Sequence, residues 1–170
     1  MLIRQLRQKY HDSLVSLYPP EEIDSIFELV AEHGLNMPRY ALHRNMDKNT
    51  PDDTEKKMLG ILERLTKAEP IQYILGITRF YDLPIAVKPG VLIPRQETEY
   101  LVDIILKEHR HVKPTSVIDL CTGSGCIAVA LAKHLPEAQV VAVDISDEAL
   151  RLTAVNAQRN GVFIECIRDD

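Results

Sequence analysis

The sequence predicts an α/β protein with an N-terminal all-α domain, followed by the opening half of a doubly wound parallel sheet. Three observations carry this reading. Apolar residues recur at three- and four-residue steps through the first seventy positions. A run of aromatic and β-branched residues broken by proline and glycine follows. From Thr115 onward, short apolar strands alternate with helical patterns, the order that builds a right-handed parallel sheet. The boundaries read as a helical domain over 1–75, a β-hairpin linker over 76–94 and a partial α/β domain over 95–170.

The elements are justified in order. Leu2, Leu6, Tyr10, Leu14 and Leu17 form one face of an amphipathic helix, ended by Tyr18-Pro19-Pro20. Glu21 to His33 carries Ile23, Ile26, Phe27 and Val30 on one face, with Gly34 as its expected stop. A shorter helix is expected between Pro38 and Asn45. Thr50 reads as an N-cap, Pro51 as the first helical residue, and the acids behind it as a favourable first turn. Met58, Ile61, Leu62 and Leu65 give that helix its buried stripe, and Pro70 ends it. "ITRFYDLPIAVKPGVLIPR" reads as one or two short strands, best paired as a hairpin. Glu97 to His109 is helical again. Then come a strand at Ser116–Leu120, a helix at Gly125–His134, a strand at Gln139–Asp144, a helix at Asp147–Asn160 and a strand at Val162–Ile167.

Composition narrows the function classes. Of 170 residues, 45% are hydrophobic and 26% charged, and the net charge is −5. Neither half is basic, so a broad phosphate-neutralising surface is disfavoured and no direct nucleic-acid partner is expected. Cys121, Cys126 and Cys166 are odd in number and fit no zinc spacing. They read as reduced thiols of a cytoplasmic protein, with no metal site. The opening "MLIRQLRQKY" has charges inside its apolar run and is no signal peptide. No apolar segment approaches the roughly 18 residues a membrane span needs.

The chemistry concentrates in "VIDLCTGSGCIAVALA". Gly123 and Gly125 sit between a strand and a helix, where positive φ and close backbone approach to a ligand are needed. The helix start adds free N–H groups and a positive dipole end. Asp144 closes the next strand, so it should project at the same sheet edge, where a carboxylate can accept both hydroxyls of a ribose. The plainer alternative is a tight turn with Asp144 capping the following helix. Gly123-Ser124-Gly125-Cys126-Ile127-Ala128 also satisfies the dinucleotide fingerprint, which would point to NAD and an oxidoreductase. Asp119 opposes that choice. An anion at the strand's end would repel a pyrophosphate across a few ångströms, whereas it suits an ammonium group such as that of S-adenosylmethionine.

Asp119-Leu-Cys-Thr-Gly-Ser-Gly125 resembles the first motif of class I S-adenosylmethionine-dependent methyltransferases, whose sheet is Rossmann-like. "PIQYILGITRFYDLPI" (Pro70–Ile85) and "VLIPRQETEYLV" (Val91–Val102) are similar to the release-factor glutamine methyltransferases, the HemK/PrmC family. The resemblance spans essentially the whole chain. It implies methylation of a glutamine side-chain amide in the Gly-Gly-Gln tripeptide of peptide chain release factors, with S-adenosylmethionine as cofactor and the release factor as protein partner. It places Cys121, Thr122, Gly123, Ser124 and Gly125 around the methionine portion, beside Asp119, Asp144 on the ribose, and Asp170, with Asp169 as the alternative, on the adenine. It places Arg95, Glu97 and Thr98 near the mouth of the site, and gives the helical domain and hairpin a part in recognising the protein substrate. Family members often carry glycine where Cys121 stands.

The Asn-Pro-Pro-Tyr segment that orients the glutamine amide in this family does not occur between Met1 and Asp170. The chain is therefore expected to be an N-terminal portion with no catalytic residue of its own, inactive alone, and inclined to self-associate through an open edge of Ser116–Leu120. A non-catalytic protein-binding module is a further reading. Arg95, Glu97 and Glu99 can equally be first-turn residues of a helix. Arg110 between His109 and His111 reads as an exposed helix end more readily than as a basic or metal-binding spot. Tyr73, Phe80 and Tyr81 read as hairpin packing before a docking surface.

Overall fold

The computed structural model of the chain describes residues 1–109 and 116–170. Arg110 and His111 lie outside the described residues. The chain divides into two compact units, Met1–Leu75 and Gly76–Asp170.

The first unit is helical: α1 (Ile3–Leu14), α2 (Pro20–Leu35), α3 (Arg39–Arg44), α4 (Asp52–Leu65) and the short α5 (Ile71–Leu75). Its core is the apolar stripe read from the sequence, with Leu6, Tyr10 and Leu14 of α1 fully buried against Ile23, Phe27 and Val30 of α2. Tyr10 meets Phe27 edge-on with ring centroids 5.3 Å apart. Its hydroxyl donates to the carbonyl oxygen of Met58 at 2.6 Å, so a buried polar tip finds a partner on α4.

Three local expectations are corrected here. Leu17 lies beyond the end of α1 and is 47% exposed, because the helix closes at Leu14. Gly34 does not stop α2. The helix runs on to Leu35, and Asn36 takes the left-handed position at φ 51°. A Cβ at Gly34 would lie 3.3 Å from Met58 Cγ, so the glycine admits α4 instead. Thr50 does not cap α4: its hydroxyl is buried without a hydrogen-bond partner, while its N–H donates to Met1 O.

In the second unit, β1 (Ile77–Phe80) pairs antiparallel with β2 (Leu83–Ala86), Ile77 opposite Ala86 and Phe80 opposite Leu83. The two-residue loop puts both Tyr81 (φ 51°) and Asp82 (φ 59°) at positive φ, the conformation that matches strand twist in a tight hairpin. Helix α6 (Gln96–Glu108) holds that loop. Glu99 Oε1 accepts from Tyr81 N at 2.9 Å, and the Tyr81 hydroxyl donates to Asp103 at 2.7 Å. Phe80 is 1% exposed. These aromatic residues of the hairpin are thus engaged in packing and loop anchoring.

The parallel sheet then forms from β3 (Ser116–Leu120), β4 (Gln139–Asp144) and β5 (Glu165–Arg168), in the order β3-β4-β5. Helices α7 (Cys126–His134) and α8 (Asp147–Asn160) connect them. Register sets Leu120 opposite Val143 and Val143 opposite Ile167, so the carboxyl ends of the strands finish together. Strand β5 starts at Glu165, later than expected. The N–H of Val162 is spent on Ala157 O, closing α8 behind a left-handed Gly161 at φ 66°.

One sheet face is covered, with Val140 and Ala142 buried. On the other, Ile118, Leu120 and Ile167 are 63%, 69% and 40% exposed. The hairpin, expected as a linker, packs in the second unit. Ala86 and Val91 share a small apolar cluster with Ala149 and Leu152 of α8.

Candidate functional site

The carboxyl edge of the sheet gathers the residues singled out in the sequence. The turn between β3 and α7 puts Cys121 (φ 57°), Gly123 (φ 57°) and Gly125 (φ 75°) in the left-handed region. The turn is fixed from every side. Thr122 N donates to Val143 O on the neighbouring strand at 3.0 Å, and Gly125 N closes back on Thr122 O at 2.8 Å. Gly125 is also crowded, since a Cβ there would stand 2.6 Å from Thr153 Cγ2.

Asp119, at the end of β3, is half-buried. Its Oδ2 accepts from the Thr122 hydroxyl at 2.8 Å and from Ala128 N at 3.3 Å. Burial pushes its pKa above the usual carboxylate range, the Asp144 charge adds to the rise, and the two donors oppose it. Asp144 sits on the adjacent strand end as expected. Its Oδ2 accepts from Gly123 N and its Oδ1 from Ser146 N, both at 2.9 Å. The carboxylate therefore braces the glycine turn and the start of α8 at once. Each of its oxygens keeps a second lone pair for a ligand hydroxyl.

Cys121 is exposed, while Cys126 is buried and its thiol is pushed up to about 11 by burial, which leaves it protonated at neutral pH. Cysteine in the left-handed region carries a backbone penalty that glycine lacks. Cys121→Gly is expected to stabilise the chain by up to about 1 kcal/mol, the relief being offset in part by the freedom glycine gains in the unfolded state. Urea unfolding of the two proteins measures the difference, and a clear loss of stability would oppose a strained Cys121.

The remaining candidates are less built in. Asp169 and Asp170 follow β5 at the same edge and are exposed, with Asp170 N donating to Asp169 Oδ1 at 2.9 Å. Arg95 precedes α6 without a side-chain cap, Glu97 is exposed in its first turn, and Thr98 is half-buried. Glu99, weighed with Arg95 and Glu97, is committed from α6 to the hairpin loop, where it accepts from Tyr81 N.

Sequence reasoning missed three residues of α8. Thr153 donates its hydroxyl to Gly123 O at 3.3 Å. Asn156 is 0% exposed and donates to Ser124 O at 2.8 Å. Asn160 donates to Pro84 O on β2 at 3.0 Å. The signal was present: these polar residues fall on the helix's own buried stripe with Ala149, Leu152 and Ala157, where an unpartnered polar group is costly.

Comparison with known proteins follows the same division. Residues 5–76 match the family model of the PrmC N-terminal domain, and residues 95–170 that of the methyltransferase small domain. Among solved structures, the ribosomal protein L11 methylase of Lactobacillus delbrueckii subsp. bulgaricus overlaps 49% of this chain and 42% of that one, at 35% identity and a TM-score of 0.39. The chain is 40% identical to the release factor glutamine methyltransferase of Flavobacterium psychrophilum, over 98% of this chain and 60% of that protein. It is 39% identical to the one of Bacteroides thetaiotaomicron, over 93% of this chain and 56% of that protein. It thus spans little more than half the length of these relatives. In both of its matched domains and along its sequence, the chain is similar to the corresponding part of the release factor glutamine methyltransferases.

Proposed function

We propose that this chain holds S-adenosylmethionine at the β3–α7 turn as part of an enzyme that methylates the glutamine side-chain amide in the Gly-Gly-Gln tripeptide of peptide chain release factors. The observation that carries the proposal is the half-buried Asp119 beside a turn with two left-handed glycines, with Asp144 at the next strand end. The cofactor supplies a methyl group activated on a sulfonium. The chain's own residues bind and orient. Asp119 holds a cation, the ammonium end of the ligand, in a setting where burial has stripped water from the carboxylate. The Cys121–Gly125 backbone approaches the ligand where side chains are absent or small. Asp144 accepts the ribose hydroxyls, and Asp170, or Asp169 in its place, reaches the adenine. Arg95, Glu97 and Thr98 border the substrate side, and the helical unit with the hairpin contributes to recognition of the release factor.

The competing oxidoreductase reading places a pyrophosphate at the same turn. Two carboxylates within one hydrogen-bonded cluster, one of them raised in pKa partly by the other, oppose an anion there. Calorimetric titration of the chain with S-adenosylhomocysteine and with NAD separates the two. Saturable binding of the first is expected, and binding of NAD alone would sink the proposal. The sequence holds no Asn-Pro-Pro-Tyr, so incubation with S-adenosylmethionine and a Gly-Gly-Gln peptide is expected to leave the glutamine unmodified.

Among the described residues nothing pairs with the outer side of β3, and this edge with the exposed Ile118 and Leu120 further supports self-association of these 170 residues in solution. Sedimentation velocity is expected to show species that grow with concentration, and a monomer at all concentrations would contradict this. Among the described residues no helix is long and apolar enough to cross a membrane.

A further inference from the structure

The outer edge of the hairpin is finished by side chains of a helix, and one of them, Asn156, also reaches the glycine turn. Strand β2 turns one row of backbone groups away from β1. Pro84 has no N–H, so that row offers the Pro84 carbonyl and both polar groups of Ala86. Asn160 Nδ2 donates to Pro84 O at 3.0 Å. Asn156 treats Ala86 as a neighbouring strand residue would: its Oδ1 accepts from Ala86 N at 2.7 Å and its Nδ2 donates to Ala86 O at 3.0 Å. The Asn156 amide has one hydrogen left, and it goes to Ser124 O at 2.8 Å.

Ser124 lies between the two glycines of the turn. Thr153, one helical turn before Asn156 on α8, ties down Gly123 O. Two successive carbonyls of the turn are thus held from behind by α8. In a planar trans peptide the N–H points opposite to the C=O. Anchoring the Gly123 carbonyl therefore aims the Ser124 N–H away from α8, and anchoring the Ser124 carbonyl fixes the next peptide plane.

We infer that Asn156 is a positioning residue that couples the hairpin to the cofactor turn, so that a ligand seated on the turn also orders the outer edge of β2. The inference rests on the turn holding S-adenosylmethionine or its product. Asn156 touches no reacting atom; it acts through the Ser124 peptide. Its side chain is fully buried with three hydrogen bonds on one rigid amide, so it cannot rotate to keep one partner without losing another. By linkage the coupling is reciprocal: whatever loosens Ala86 weakens the ligand.

Backbone hydrogen exchange on the intact chain, read residue by residue, tests this. With S-adenosylhomocysteine at ten times its Kd, exchange at Gly123 N–H is expected to slow about 10-fold, and exchange at Ala86 N–H by the same factor. Ligand binding also slows by the same factor every amide that exchanges through global unfolding, so the reading is taken on exchange by local opening, where a merely structural Asn156 would leave Ala86 unresponsive and protection confined to the turn overturns the inference. No protection at the turn overturns both the inference and the reading on which it rests. The ligand-free protein gives a second arm. Asn156→Asp keeps the shape but loses both donors and sets a carboxylate against two carbonyl oxygens. It is expected to speed exchange at Ala86 and Gly123 together and to raise Kd about 10-fold or more. Faster exchange at Ala86 with Gly123 and Kd unchanged overturns the coupling. If that variant fails to fold, the wild-type arm alone decides.

Discussion

Gly125→Ala is expected to destabilise the second unit by about 2–5 kcal/mol, combining the left-handed backbone penalty with overpacking. Gly125 stands at φ 75°, and its absent Cβ would fall 2.6 Å from Thr153 Cγ2 and 2.8 Å from its hydroxyl. The two contributions can be separated. Thr153→Ala removes the two nearest atoms and leaves its Cβ 2.9 Å from the added one, at the cost of the hydrogen bond to Gly123 O, a loss of about 1 kcal/mol. In that background Gly125→Ala should cost less, the backbone part of about 1–2 kcal/mol plus what remains of the contact with the residue 153 Cβ. The difference is the coupling energy of a double-mutant cycle, measured by urea unfolding followed through the exchange-protected amides of α7. Equal costs in both backgrounds would show that Thr153 does not set the space at this turn. Ligand affinity should fall with stability, because Gly123 and Gly125 shape the same loop.

Asp119→Asn is expected to move stability and binding in opposite directions. The folded pKa of Asp119 is raised, first by burial and then by the Asp144 charge. Between the ordinary carboxylate value and the raised one, the folded chain holds a proton that the unfolded chain has released. Stability therefore falls as pH rises through that window, and the loss persists at neutral pH. Asparagine carries no charge to desolvate and can still accept from the Thr122 hydroxyl and Ala128 N–H, so the variant should melt higher than the parent at pH 7. The gain should vanish at a pH below the ordinary carboxylate range, where the parent's acid is protonated in both states. S-adenosylhomocysteine binding should drop about 10- to 100-fold, the range of one lost charge-assisted hydrogen bond. In the parent, affinity should rise with pH as Asp119 ionises. Unchanged affinity in the variant would remove Asp119 from the ligand's ammonium end.

Much of this arrangement was legible in the residues. Alternating strands and helices after Thr115 could be read because each strand carries a short apolar run and each helix a period near 3.6. Asp119, Gly123, Gly125 and Asp144 follow from strand ends meeting at one edge. What could not be read depends on contacts distant in sequence. Gly34 looks like a stop signal until α4 brings Met58 beside it. Thr50 has the right neighbours for a cap, yet its backbone is drawn toward Met1 and its hydroxyl turns inward. Thr153, Asn156 and Asn160 sit where an apolar stripe belongs, and only the hairpin and the glycine turn on the other side explain them. The start of β5 was displaced because capping α8 consumed the backbone of Val162.

Asn160 is followed by Gly161, the pairing in which an asparagine amide is lost most readily. The backbone nitrogen of the glycine attacks the side-chain carbonyl, ammonia leaves, and the cyclic imide opens to aspartate or isoaspartate. The fold withholds the attacking nitrogen: Gly161 N–H is engaged with the last carbonyls of α8, and the Asn160 amide is held on Pro84 and Asn156. Ammonia release at this position is then a clock for opening of the α8 end. Once it has run, the new carboxylate faces the carbonyl of Pro84, and the hairpin edge cannot close again as it was.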